Sequence, residues 1–279
     1  MGVPYAEVIG DPIAHSKSPL IHKFWLEKLG IDADYRAKRV MADELPPYFE
    51  ARRTDPDWRG CNVTIPHKQS VIPLLDQRDD FGIGAVNCVV PRNGLFGMNT
   101  DIAGIGAALP FGVDTSAPVC IIGAGGAAKA VVAELDARAV FQFNLLVRDK
   151  QQGLELIGPD AEYCRVFSLE EAKAALSGCV GVINASPLGM TGFPAMPETV
   201  LEGLGGVRRG GFIRQSGFAL DLVYSPLETA FLARARQEKL QVIDGLTVLI
   251  GQAASAFEMF YGALAPREHD AQLRELLTG

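Results

Sequence analysis

No run of apolar residues in this 279-residue chain reaches the roughly 18 needed for a membrane span. Met1 to Gly10 has no basic segment leading into a long apolar stretch, so no signal peptide is expected. Histidine is scarce, with four scattered copies. The five cysteines (Cys61, Cys88, Cys120, Cys164, Cys179) are odd in number and never spaced as a CxxC pair. That pattern offers no metal site and predicts reduced, mostly buried thiols in a cytoplasmic protein. Positive charge is also short: 26 Lys and Arg stand against 33 Asp and Glu, a formal net charge of −7. Such a balance speaks against a general binder of nucleic acid. The sequence shows neither internal repeats nor low-complexity segments.

What is present is 48% hydrophobic content, enough for real cores, and strand-like runs alternating with helical ones almost throughout. This is the pattern of an α/β protein with mainly parallel sheet. Strands are expected at Tyr5 to Ile9, Asn62 to Ile65, Ala85 to Val90 and Leu95 to Met98, the last two flanking a hairpin signal at Arg92-Asn93-Gly94. Further strands are expected at Val119 to Ile122, Phe141 to Val147, Gly178 to Asn184, Ala219 to Val223 and Gln241 to Ile243. Ser18-Pro19 opens a helix with proline at its favoured position and with Leu20, Ile21, Phe24 and Trp25 as the apolar stripe. A final helix is expected over Leu246 to Tyr261. A glycine-rich loop begins only at residue 123, so two domains fit best: residues 1–104 with 246–279, and residues 105–245.

Cys61-Asn-Val-Thr-Ile-Pro-His-Lys68 is the most informative stretch. Asn62 and Thr64 are two apart and share a strand face, while Pro66 closes the strand and leaves Lys68 just beyond it. Asn99-Thr100-Asp101 follows the strand ending at Met98; Asp101 is either a helix cap or, beside Lys68, half of a proton-relaying pair. Ser16 and Ser18 flank a lysine at a strand-to-helix junction, where Ser18 is either the helix N-cap or one of two hydroxyls able to hold a carboxylate. Asn87, in an apolar strand, and Gln252, among small residues of the last helix, need partners: either a ligand or an internal hydrogen bond.

Gly123-Ala124-Gly125-Gly126-Ala127-Ala128 lies between a strand and a helix and matches the G-x-G-x-x-A dinucleotide fingerprint. Its glycines suit either a tight turn alone or close backbone approach to a pyrophosphate on the helix N-terminus. The next strand ends at Val147-Arg148-Asp149. The arginine suits the 2′-phosphate of NADP and the aspartate the ribose hydroxyl of NAD, so NADP is expected with NAD as the alternative.

Taken in order, Ser16-Lys-Ser-Pro19, Asn62 to Lys68, Gly84-Ala-Val-Asn87, Asn99-Thr-Asp-x-x-Gly104, the Gly123 loop, Asn184-Ala-Ser-Pro-Leu-Gly-Met190, Asp221-Leu-Val-Tyr-Ser-Pro226, Asp244-Gly-Leu246 and Gln252 closely resemble the shikimate dehydrogenase family. The resemblance covers nearly the whole chain. It implies an α/β fold of two domains, an N-terminal α/β substrate domain and a Rossmann-type nucleotide domain. The implied activity is reversible NADPH-dependent reduction of 3-dehydroshikimate to shikimate, in aromatic amino acid biosynthesis. By that resemblance Lys68 and Asp101 are the catalytic pair. Ser16 and Ser18 hold the substrate carboxylate, Thr64, Asn87, Asp101 and Gln252 bind ring hydroxyls, and Tyr224 adds to the pocket. The cofactor lies on Gly123 to Ala127, near Arg148, Asp149, Leu222 and Gly245.

The expected partner is a small molecule, with neither nucleic acid nor membrane, and the chain is expected to be a monomer or homodimer. Two features depart from the family pattern. Members using NADP usually carry Asn-Arg-Thr where this chain has Val147-Arg148-Asp149, and Gly205 to Ser216 is unusually rich in glycine and arginine, for which the sequence offers no physical account. An NAD-preferring quinate/shikimate dehydrogenase and a non-catalytic nucleotide sensor are the competing readings; Ser18, where quinate-preferring members often have threonine, leans towards shikimate.

Overall fold

The computed structural model describes residues 2–158, 163–208 and 217–279; most of the Gly/Arg-rich segment singled out above, at 209–216, lies outside the described residues. The chain divides into two compact units, Met1–Gly104 with Ile250–Gly279, and Ile105–Leu249.

The first unit carries β1 (Tyr5–Gly10), α1 (Ser18–Leu29), β2 (Asp34–Arg39), α2 (Leu45–Arg53), β3 (Trp58–Val63), β4 (Gln77–Asp79), β5 (Cys88–Pro91) and β6 (Leu95–Met98), and α3 (Asp101–Ala108) begins in it. Its sheet runs β2-β1-β3-β5-β6-β4. Strands β1, β2 and β3 are parallel, but β5 is antiparallel to both β3 and β6. The expectation of a mainly parallel sheet holds, since β4 is also parallel to β6, and antiparallel pairing is confined to the two neighbours of β5. The cause is local: Asn93 and Gly94 both take positive φ, 52° and 103°, and a short turn can join only antiparallel neighbours.

Packing covers both faces of this sheet. Tyr5, Ile9, Phe49, Trp58 and Val63 bury together on one side. Ala6, Val8, Tyr35, Cys88 and Phe260 bury together in a second cluster. Helix α1 buries Ile21, Phe24 and Trp25 as its stripe predicts, while Leu20 is exposed. Strand β2 escapes the sequence reading because it is an edge strand, Asp-Tyr-Arg-Ala-Lys-Arg, with only Tyr35 buried. Charged side chains on an edge discourage further strand pairing and hide the strand's signature.

The second unit carries β7 (Val119–Ile122), α4 (Gly126–Ala137), β8 (Phe143–Val147), α5 (Lys150–Ile157), β9 (Cys164–Ser168), α6 (Ala172–Leu176), β10 (Gly181–Asn184), α7 (Glu198–Gly203), β11 (Phe218–Asp221), α8 (Ala230–Gln237) and β12 (Gln241–Ile243). Helix α9 (Gly245–Tyr261) begins in it, and α10 (Asp270–Thr278) returns to the first unit. The sheet is parallel throughout in the order β12-β11-β10-β7-β8-β9. Its central strands are short, wholly buried apolar runs such as Val119–Ile122, as expected of a parallel sheet covered on both faces. Numbered within the unit the order is 6-5-4-1-2-3, that of a doubly wound dinucleotide fold. The order reverses between β7 and β10, and a ligand crevice forms at the carboxyl ends of the strands flanking such a point.

Cys61, Cys88, Cys120 and Cys179 are buried free thiols, and burial holds each thiol's pKa above its ordinary value. Among the described residues no helix is long and apolar enough to cross a membrane.

Candidate active site

Within the first unit, Lys68 Nζ donates to Asp101 Oδ2 at 2.5 Å, and Asn87 Nδ2 donates to Asp101 Oδ1 at 2.8 Å. Three chain segments converge to make this cluster. Lys68 follows β3, and its carbonyl is pinned by the Val86 amide at 2.7 Å. His67 beside it is buried and its Nε2 donates to the Val40 carbonyl at 2.7 Å, which locks the turn that presents Lys68. Asn87 immediately precedes β5, and Asp101 opens α3.

The helix-cap reading of Asp101 fails on geometry. Its two carboxylate oxygens face the side chains of Lys68 and Asn87, and it is Asn99 Oδ1 that accepts the Asp101 amide, at 3.0 Å. Lys68 and Asp101 stay partly exposed, with side-chain exposures of 32% and 24%, so a ligand can reach both. An ammonium has three hydrogens, and Asp101 takes one.

Around this pair the amides are oriented by their partners. Asn87 Oδ1 accepts the Thr100 amide at 2.7 Å, so its NH₂ must face Asp101. Thr100 Oγ1 lies 3.2 Å from both Asn87 Oδ1 and Gln252 Oε1, and its single hydrogen serves one of them. Gln252 thereby joins the cluster from α9. Thr100 is a member the sequence reading missed: inside Asn-Thr-Asp it has no signal that separates it from a loop residue.

Thr64 sits one residue beyond β3, part-exposed, with its amide on the Ile9 carbonyl at 3.0 Å. Gly10 permits this approach, since a Cβ there would come within 2.6 Å of the Thr64 methyl and 2.8 Å of the Ile65 carbonyl. The strand itself ends at Val63, so Thr64 leaves the sheet and does not share a strand face with Asn62. Asn62 is buried and bonded at both ends of its amide: its Nδ2 donates to the Asn87 carbonyl at 3.2 Å and its Oδ1 accepts from the Tyr35 hydroxyl at 2.6 Å.

Ser16 Oγ accepts the Ser18 amide at 3.3 Å. Ser18 is not an N-cap; the cap position is Lys17, with no side-chain hydrogen bond to the helix. Lys17 instead donates to the Leu277 carbonyl at the end of α10. Tyr224 belongs to the second unit, where burial raises its phenol pKa.

The second unit presents the glycine loop. Gly123 has φ of +112°, and a Cβ there would lie 3.1 Å from the Ala185 carbonyl, so glycine is required both for conformation and for space. At Gly125 an added Cβ would meet nothing, leaving open room above the start of α4. No side chain caps that helix, whose first amides are available to an anion. Leu222 and Gly245 also meet, since a Cβ on Gly245 would come 2.6 Å from the Leu222 carbonyl. A dinucleotide fits this donor set: bare helix amides, an uncluttered glycine and the strand-order reversal between β7 and β10.

Arg148 and Asp149 follow β8, and both are exposed. Asp149 is the N-cap of α5, its Oδ1 accepting the Gln151 amide at 2.9 Å. Its carboxylate therefore has a structural task that any helix start could assign it. The arginine before it makes no hydrogen bond or ion pair recorded among the described residues.

A further polar knot joins Asn184 and Asp221, register partners at the ends of β10 and β11. Asp221 accepts from Asn184 Nδ2 at 2.8 Å, the Thr229 hydroxyl at 2.6 Å and the Val223 amide at 3.0 Å. Asn184 Oδ1 accepts from Ser186, shaping the loop that lies against Gly123. Burial pushes the Asp221 carboxyl up to about 6, against the pull of those hydrogen bonds.

Comparison with known proteins agrees with this geometry. Residues 8–89 match the model of the shikimate dehydrogenase substrate binding domain. A shikimate dehydrogenase (NADP(+)) of Sphingopyxis alaskensis is 44% identical over 279 residues, spanning 99% of this chain and 97% of that protein. The structure of shikimate 5-dehydrogenase from Thermus thermophilus in complex with NADP(H) and shikimate superposes with a TM-score of 0.81 at 32% identity, covering 98% of this chain and 99% of that one. A 5-ketofructose reductase of Gluconobacter reaches 0.83 at 26% identity, covering 99% of each chain, so the fold also serves a different ketone. Near-complete coverage at this identity, over a chain whose glycine loop and Lys68–Asp101 cluster are both intact, places the protein in the shikimate dehydrogenase family.

Proposed function

We propose that this chain catalyses the reversible, NADPH-dependent reduction of 3-dehydroshikimate to shikimate. The observation that carries the reading is the Lys68–Asp101–Asn87 cluster, in which an accessible ammonium is held against a carboxylate that is itself oriented by an amide. Bound NADPH supplies the hydride. The chain's own residues supply the proton and the orientation. Lys68 holds a proton at Nζ and gives it to the ring oxygen as the carbonyl becomes an alkoxide; in the oxidative direction it takes that proton back. Asp101 keeps the ammonium aimed and accepts from a neighbouring ring hydroxyl. Ser16 and Ser18 serve the substrate carboxylate, with Thr64, Asn87 and Gln252 serving the remaining hydroxyls.

Gly123 to Ala127, Leu222 and Gly245 hold the dinucleotide, and Arg148 takes the 2′-phosphate. Because Asp149 already caps α5, NADP is the better fit than NAD. A four-way assay by nicotinamide absorbance, shikimate or quinate with NADP⁺ or NAD⁺, tests the reading. Turnover should be highest with shikimate and NADP⁺, and a chain that is inactive in all four arms is not this enzyme.

A further inference from the structure

Asn184 and Asp221 are completely buried and Thr229 is almost so, so none of them touches a ligand directly. Their hydrogen bonds nonetheless lead towards the glycine loop. Asn184 has two amide hydrogens and two lone pairs on Oδ1, and the structure accounts for all four. Its Nδ2 donates to Asp221 Oδ1 at 2.8 Å and to the Leu188 carbonyl at 3.1 Å. Its Oδ1 accepts the Ser186 amide at 3.1 Å and the Ser186 hydroxyl at 2.7 Å. Ser186 Oγ in turn accepts the Leu188 amide at 3.3 Å. The Asn184 side chain fits only one way round. Turned over, its NH₂ would face the Ser186 N–H, and its oxygen would face a carboxylate and a carbonyl.

Asp221 fixes that choice from behind. Its Oδ1 takes Asn184 and the Val223 amide, and its Oδ2 takes the Thr229 hydroxyl at 2.6 Å. Thr229 is itself held as the N-cap of α8, accepting the Leu232 amide at 3.2 Å. Donors from three segments thus meet one side chain: the end of β10, the turn after β11 and the head of α8. A carboxylate has only acceptors and can answer all three. An amide of the same shape would bring two hydrogens to a place where donors already converge.

The turn that Asn184 organises lies on the glycine loop. The Ala185 amide donates to the Ile122 carbonyl at 2.9 Å, directly before Gly123. A Cβ at Gly123 would come 3.1 Å from the Ala185 carbonyl oxygen and 3.2 Å from Ser186 Cβ. The turn therefore packs on the glycine with no room for a side chain between them.

We propose that Asp221 is a positioning residue of the cofactor cradle: through Asn184 it holds the Ala185–Ser186 turn against Gly123 and so fixes the shape of the loop that receives the dinucleotide. The proposal rests on the reading of the Gly123 loop as the dinucleotide site.

The test is Kd for NADPH, read by fluorescence titration, with the melting temperature measured beside it. Asp221→Ala removes the acceptor and should raise Kd about ten- to thirtyfold. Asp221→Asn keeps an oxygen for Asn184 and Val223, and should hold Kd within about threefold of the unmodified chain whatever its melting temperature. In an Asn184→Ala background, where Kd is already raised, Asp221→Ala should add less than about twofold, because its route of action is gone. An unchanged Kd in Asp221→Ala overturns the positioning role. So does an Asp221→Asn that binds as weakly as Asp221→Ala, or effects that simply add in the Asn184→Ala background.

Should Asp221→Ala fail to fold, Thr229→Val keeps the shape at the head of α8 and withdraws one donor from the carboxylate. It should raise Kd about threefold, and Thr229→Ser should restore it. A Thr229→Val chain that binds NADPH as tightly as the unmodified one overturns the proposal. An unmodified chain that does not bind NADPH overturns the dinucleotide reading itself, a result distinct from tight binding that ignores Asp221.

Discussion

The first unit assembles its polar cluster from side chains delivered by separate segments: Lys68 after β3, Asn87 before β5, Asp101 at the head of α3 and Gln252 on α9. The second unit makes its candidate cofactor cradle mostly from backbone, in one short loop where Gly123 turns at positive φ and Gly125 leaves space over a bare helix start. The contrast follows from the ligands each can hold. Ring hydroxyls and a carboxylate on a small molecule need directional donors and acceptors at several points, which only side chains from many places can supply. A pyrophosphate needs several N–H groups and a positive potential, which one helix N-terminus already has. A site of the first kind is sensitive to single side chains, and a site of the second kind to backbone conformation.

The largest expected effect breaks the first unit's chemistry and leaves the second untouched. Lys68→Met should lower kcat for shikimate oxidation about 10²- to 10⁴-fold, the usual worth of a positioned proton donor. NADP⁺ affinity, measured by fluorescence titration, should stay within about twofold. The melting temperature should hardly move, since a half-exposed ion pair contributes little to stability. Loss of NADP⁺ binding in this variant would mean that the division of labour between the units is drawn wrongly.

Next in size is a property of the second unit alone. The Asp221 carboxyl sits at about 6 when folded against an ordinary 3.8, so the folded chain holds a proton there that the unfolded chain has released. Stability from this group is full below about pH 4 and falls as pH rises towards 6, by at most roughly 3 kcal/mol. Urea unfolding of wild type and Asp221→Asn at intervals between pH 4 and 7 isolates it. The wild type should lose ground to the variant across that window and run parallel to it above. A constant difference at every pH would show that Asp221 does not titrate there.

The smallest expected effects concern the cofactor end. Arg148→Ala should raise KM for NADPH about ten- to a hundredfold while changing that for NADH less than about twofold, as expected for the loss of a charged hydrogen bond to the 2′-phosphate. Asp149→Ala should cost about 1 kcal/mol of stability through the lost helix cap. It should leave the NADPH-to-NADH preference where it was. A large swing of that preference in Asp149→Ala would return the carboxylate to the cofactor site.

Much of this was legible from residue order. The strand of residues 119 to 122 and the helix ending at Ala137 stand in the structure where residue order put them, because a buried apolar run followed by glycines has few alternatives. The hairpin at Arg92 to Gly94 was equally plain. Strand β2 was not, since an edge strand needs only one buried side chain and its charges disguise the rest. Ser18, offered as a possible N-cap, lies one residue inside the helix: the Ser-Pro pattern marks where a helix starts, but the cap position falls on Lys17.

The sequence by itself determined the alternation of elements, the glycine fingerprint and the chemical types of the candidate site residues, because these depend on neighbours within a few positions. It could not decide which groups share hydrogens. That Asp101 answers Lys68 and Asn87, that Asp149 is spent on a helix cap, and that Tyr35 spans β1 to reach Asn62 depend on strand order and register. Each hydroxyl or amide has a fixed number of donors and acceptors, so its role is settled only when all of its partners are in place.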